Sequence, residues 1–176
     1  MLMKYILLGL CFCLLFLECK KEKAFKIDAS KITAVDENGD PNGETDPTDW
    51  KFVDEWNAKE LALFNFGDTV STLGMQQATA FSALVAPNPT ASDFSLTFRT
   101  NQPTLLKWII TDEYLNVLFA RVYRMEKNIN IDPNVGFGLN AQNSRFKGPG
   151  YYRVYYAFYS QGGILYKKGH GDFKKL

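Results

Sequence analysis

From about Gly67 onward, apolar residues recur at every second position in short runs. Phe94, Leu96 and Phe98 alternate with Ser95 and Thr97; Leu106, Trp108 and Ile110 flank Lys107; Tyr152, Val154, Tyr156 and Phe158 alternate with Arg153 and Tyr155. A period of two is the mark of a strand with one buried face. It predicts strands at Thr79–Val85, Phe94–Phe98, Leu106–Ile110, Asn116–Tyr123, Asn128–Ile131, Tyr151–Tyr159 and Ile164–Tyr166. Turn formers separate them at Pro87-Asn-Pro89, Gly148-Pro-Gly150 and Gln161-Gly-Gly163. Short alternating strands between such turns describe a mainly β domain over 67–176, an antiparallel β-sandwich with an aromatic and branched-aliphatic inner layer.

The pattern ahead of the sandwich is different. Within 49–66, Val53, Trp56, Leu63 and Phe64 recur at spacings near three, four and seven, with Thr48 or Asp49 as a cap and Gly67 as a stop. This predicts a short amphipathic helix that lays its aromatic stripe on the sandwich. Residues 19–48 are rich in Lys, Asp, Glu, Asn, Gly and Pro, the profile of a flexible polar linker. Inside it, Ile32–Val35 suggests a short strand before the turn-rich Asp36–Gly43.

The first 18 residues read as an export signal. Lys4 precedes an apolar run from Tyr5 to Leu17, about 13 residues, short of the roughly 20 that a spanning helix needs and within the range of a signal h-region. The run ends at Glu18-Cys19 and is followed by Lys20-Lys21-Glu22-Lys23. This resembles the signal of bacterial lipoproteins, and the Cys-Lys-Lys start resembles the tether of bacteroidete lipoproteins. The resemblance implies that Cys19 is lipidated and becomes the first residue of an outer-membrane lipoprotein in the cell envelope. An ordinary signal peptide or an uncleaved anchor is the alternative.

A second resemblance covers Ala86 to the end. Ala86-Pro-Asn-Pro-Thr-Ala-Ser-Asp-Phe-Ser-Leu96, Thr111-Asp-Glu-Tyr-Leu-Asn-Val117, Gly150-Tyr-Tyr-Arg-Val154 and Lys167-Lys168 are similar to the C-terminal sorting domain of type IX secretion substrates. That implies an immunoglobulin/fibronectin-like sandwich. Such a domain ordinarily follows a large passenger, and here none intervenes, so shared fold is expected more than shared role.

Composition narrows the chemistry. The chain has 176 residues and a net charge of +1, with 20 Lys+Arg against 19 Asp+Glu. That balance lacks the basic excess expected of a nucleic-acid binder. The three cysteines, Cys11, Cys13 and Cys19, all fall in the signal, and His170 is the one histidine. A processed chain therefore has neither a disulfide framework nor a thiolate or multi-histidine metal site. Asn38, Asp40, Asn42, Asp46 and Asp49 carry oxygens at spacings resembling a calcium loop, with Gly43 in its turn position, but Asn at the first position, Asp at the last and the interrupting Pro41 and Pro47 favour an acidic solvated turn, with weak calcium binding as the alternative. Tyr151, Tyr155 and Tyr159 share one strand face and form a candidate glycan platform, provided the upstream helix leaves them open. His170 beside Asp172 raises an acid–base pair, with a surface role as the alternative. Lys167, Lys168, Lys174 and Lys175 suggest a charged guard on an exposed final strand. No cofactor and no enzymatic constellation is expected. The expectation is a lipid-anchored, non-catalytic interaction or structural module with an envelope partner, or a glycan-binding lipoprotein.

Overall fold

The computed structural model describes residues 25–53, 55–64, 80–126 and 133–176. Cys19, the strand expected at Asn128–Ile131 and the last residues of the expected helix lie outside them. In chain order the elements are β1 (Lys51–Phe52), α1 (Ala58–Ala62), β2 (Phe81–Ala86), β3 (Asp93–Thr100), β4 (Thr104–Thr111), β5 (Val117–Met125), β6 (Asn134–Asn140), β7 (Gly150–Tyr159) and β8 (Leu165–Lys175). They build two antiparallel sheets, β1-β8-β7-β4-β5 and β2-β3-β6, which makes the β-sandwich.

Alternation decides what lies between the sheets. On β3, Phe94, Leu96 and Phe98 are buried while Ser95 and Thr97 are half-buried. Across β4 and β7, the pairs Leu106↔Phe158, Trp108↔Tyr156 and Ile110↔Val154 all point inward. Rings interlock across the gap: Phe98 meets Tyr156 edge-on at 5.8 Å, and Phe94 lies 5.0 Å from Phe173. Each such side chain withdrawn from water contributes about 1.5–3 kcal/mol, so this layer is the main source of cohesion.

Strand β7 departs from the half-buried pattern, because Tyr152 to Tyr159 are all buried, on both faces. The second cover comes from the N-terminal half. Ile27, Ala29, Ile32, Ala34 and Val35 are buried, and Trp56 packs with Tyr155, Ala157, Tyr159 and Leu165 on the outer face of the large sheet. The described part of the expected linker, 25–48, is therefore a docked strap. Its buried residues are small or widely spaced among polar ones, which is why composition reads as a linker.

The helix expected over 49–66 is confined to Ala58–Ala62. Ahead of it the chain runs as β1, pairing Lys51↔His170 and Phe52↔Gly169. Glycines on β8 explain this. A Cβ at Gly171 would overlap the Trp50 ring, and one at Gly169 would overlap the Lys51 carbonyl and the Tyr156 ring. Their absence lets β1 lie close, with Trp50 stacked on Tyr156 at 6.3 Å and Phe52 edge-on to Phe158 at 6.1 Å. The last strand is also not an exposed, lysine-guarded edge. Lys168 and Lys175 are buried, Lys168 with its ammonium 5.4 Å from the Trp56 ring and Lys175 donating to the Phe146 carbonyl at 3.3 Å.

Candidate functional site

The polar residues worth attention lie on the outer face of β7 and β8, beneath the strap. Cross-strand register places Arg153 opposite Asp172 and Tyr155 opposite His170. Arg153 Nε and Nη2 donate to the two Asp172 carboxylate oxygens at 2.7 Å each, a bidentate fork. The same Nη2 donates to the Asp28 carbonyl at 2.6 Å, tying the sheet to the strap. Glu60 reaches the cluster from α1: its Oε1 accepts from the Tyr155 hydroxyl at 2.9 Å and lies 4.0 Å from Arg153 Nη1. Its Oε2 accepts from the Asn57 amide at 2.8 Å, while Asn57 Oδ1 accepts from the amides of Lys59 and Glu60. That reciprocal capping box starts α1 and aims Glu60 inward.

Two further side chains clasp the strap to β8. Asp49 accepts from the Asp172 amide at 2.6 Å, from the Thr33 amide at 2.7 Å and from the Trp50 amide at 3.0 Å. Asn88, fully buried, donates from Nδ2 to the carbonyls of Thr33 and Asp172 and accepts the Lys174 amide, each at 3.0 Å. Its own backbone exchanges two hydrogen bonds with Val35, at 2.8 and 3.0 Å. Pro87-Asn-Pro89 thus presents a buried amide that joins three segments.

Electrostatics follow from burial. Burial works against the Arg153 charge, but the Asp172 carboxylate outweighs it and keeps the guanidinium protonated. Burial pushes the Asp172 carboxyl up while that guanidinium pulls it back. Asp49 is pushed up to about 6 by burial, against the pull of the amides of Asp172 and Thr33, with the neighbouring Asp172 charge adding to the rise. Burial and the Glu60 carboxylate raise the Tyr155 hydroxyl. Burial, then the Arg153 charge, lower His170 to about 4, so it is neutral near pH 7. Its Nδ1 is buried without a hydrogen-bond partner among the described residues.

The sequence-derived candidates are placed as follows. Tyr155 is fully buried with the Trp56 ring edge-on at 5.5 Å, Tyr159 is 4% exposed, and Tyr151 is half-buried with the Lys174 ammonium 5.6 Å from its ring. The three tyrosines do not make one open aromatic face, because Trp56 and the residues around it cover Tyr155 and Tyr159. Asn38, Asp40 and Asn42 lie in an exposed turn organised by Asp36, which accepts the amides of Asn38 and Asp40. Asp46 caps its own turn through the Thr48 amide and hydroxyl, while Asp49 is turned inward onto Asp172 and Thr33. The spacing therefore does not converge as a calcium loop, and among the described residues no three His, Cys, Asp or Glu side chains gather around a point. His170 and Asp172 share a face, but both Asp172 oxygens are occupied by Arg153, and the histidine faces the Tyr155 ring at 6.0 Å.

Arg153, Glu60 and Asn88 escaped the sequence reading. One signal for them was available: a lone arginine within Tyr-Tyr-Arg-Val-Tyr-Tyr-Ala-Phe-Tyr, where both faces are apolar, has to find a carboxylate. As arranged, the one cation, Arg153, is shared between Asp172 and Glu60, and the Tyr155 hydroxyl is tied to Glu60. Its physical effect is to hold the N-terminal half against the sheet. No family model matches the sequence, and no curated protein matches it.

Proposed function

We propose that this protein is a lipid-anchored cell-envelope protein whose β-sandwich serves as a non-catalytic interaction or structural module. The anchor rests on the sequence: an apolar run ending at Cys19 and followed at once by lysines. The observation that carries the non-catalytic part is the covered face of β7. The ionisable groups gathered there, Arg153, Asp172, Glu60 and Tyr155, bond to one another and to the strap rather than line an opening. A catalytic acid or base needs access to a substrate proton, and here access is closed by the chain itself.

Acylation provides the test. Metabolic labelling with an alkyne fatty acid should mark the native chain, and Cys19→Ala should abolish both the label and partitioning into detergent. A Cys19→Ala chain that still partitions contradicts the anchor.

A further inference from the structure

The strap docks at the end of the sandwich formed by the turn between β4 and β5. Ile27 donates its amide to the Glu113 carbonyl at 2.8 Å, and Lys26 pairs with the Glu113 carboxylate at 2.8 Å. Glu113 belongs to the turn between β4 and β5. The Asp112 carboxylate accepts the amides of Tyr114 and Asn116 at 2.9 and 3.0 Å and the Asn116 side-chain amide at 2.8 Å, while Leu115 adopts a left-handed φ of 64°. A turn so tied holds its outward residues in place. Those residues are apolar: Tyr114 is 49% exposed and Val117 50% exposed. Lys26 extends its ammonium to 5.9 Å from the Tyr114 ring, and the exposed Lys59 sets its own 4.7 Å from the Phe25 ring. The tip thus combines an aromatic ring, a branched aliphatic side chain and flanking ammonium groups. That is the composition of side chains seated among lipid headgroups.

Chain length says what meets this tip. The inference rests on the anchor reading above. From Cys19 to Phe25 there are six residue steps, and at no more than about 3.6 Å each they span at most about 22 Å, whatever path they take. A ten-residue strand such as β7 is longer, about 33 Å. A lipid on Cys19 therefore keeps Phe25, and with it the β4–β5 end, within about 22 Å of the bilayer, a reach too short for the sandwich to stand upright on its opposite end.

We propose that the β4–β5 tip, with Tyr114 and Val117 at its point and Lys26 and Lys59 beside them, is a membrane-contact surface that seats in the headgroup layer of the bilayer holding the anchor. Two carboxylates lie at the tip: Glu113 is paired with Lys26, and Asp112 is held by the amides of Tyr114 and Asn116, so the acidic groups there are already bonded within the turn and the strap. The sandwich then stands on this end, with the Ser160–Gly163 turn that joins β7 to β8 directed away.

The test uses the full acylated chain in vesicles. The native cysteines all lie at or before position 19, so an introduced cysteine is the one free thiol of the processed protein. Val117→Cys marks the tip and Gly162→Cys the far turn; each is labelled with an environment-sensitive fluorophore in phosphatidylcholine vesicles, with and without 30% phosphatidylglycerol. Flotation is measured on the same samples. The expected result is a blue-shifted label at 117, quenched at least threefold more by a spin-labelled lipid than the label at 162, and shielded from iodide. Equal lipid quenching at both positions in chains that float overturns the membrane-contact surface and leaves the anchor standing. Chains that do not float overturn both.

Discussion

Arg153 brings a permanent charge to the middle of a strand whose neighbours on both faces are apolar, and the fork to Asp172 is what makes that position tolerable. Removing one partner of such a pair leaves the other buried alone. Arg153→Met should therefore cost about 3–5 kcal/mol in urea denaturation, and Arg153→Met combined with Asp172→Leu should cost less than the single change. A single-variant loss below about 1 kcal/mol would contradict a buried pair. His170 gives the residue scale its pH dependence. Its pKa in the fold, about 4, lies below its ordinary value of 6.5, so its contribution to stability is present above pH 6.5 and lost as pH falls toward 4. Asp49 runs the other way: raised from 3.8 to about 6, it favours the fold below pH 3.8 and loses that contribution as pH rises through 6. The unfolding free energy of a His170→Leu variant should fall less than that of the parent between pH 6.5 and 4, by on the order of 1–2 kcal/mol after allowance for partial exposure, as read from urea denaturation at each pH. Parallel curves would remove His170 from the acid limb.

Among the elements, β8 and β1 depend on each other through two missing side chains. Gly171→Ala forces a methyl into the Trp50 ring, and overpacking of this kind costs about 1–3 kcal/mol. The variant should show a lower thermal midpoint and a weakened near-ultraviolet signal from the Trp50–Tyr156 stack; an unchanged spectrum would mean that Trp50 does not lie over Gly171. The same glycines show where the sequence was legible. Strands β3, β4 and β7 announce themselves through bulky alternation at Phe94 to Phe98, Leu106 to Ile110 and Tyr152 to Phe158. In β6, Val135, Phe137 and Leu139 alternate as clearly, but Gly136 and Gly138 on the other face dilute the strand signal. In strand β8 the apolar alternation is legible only at its start and the lysines beyond suggest an exposed edge, since Gly169 and Gly171 look like turn residues until Trp50 and Tyr156 are known to fill their space. In the same way Trp50 to Phe64 has helical spacing, yet edge pairing with β8 takes its first residues into a strand.

On the scale of the whole molecule, the N-terminal half is a second layer on the large sheet. Ile27, Ile32 and Trp56 add apolar cover, and Arg153, Asp49 and Asn88 fix its position through hydrogen bonds from β7, β1's approach and the β2–β3 connection. That layer accounts for why a tyrosine face that looked available in the sequence is closed, and for why the chain emerges beside the β4–β5 tip. The candidate site was legible only in its parts: the tyrosines, His170 and Asp49 were each noticed, but not that a segment of polar composition would cover them. Amide hydrogen exchange of the strap in the native protein tests this most directly. The amides of Ile27, Thr33 and Ala34 are bonded to Glu113, Asp49 and Glu44, and they should exchange slowly, with Thr33 approaching the protection of the β7 amides. Exchange of Thr33 at the rate of an unstructured peptide, with β7 still protected, would show that the strap is not a fixed layer and would contradict the closed face on which the proposed function stands.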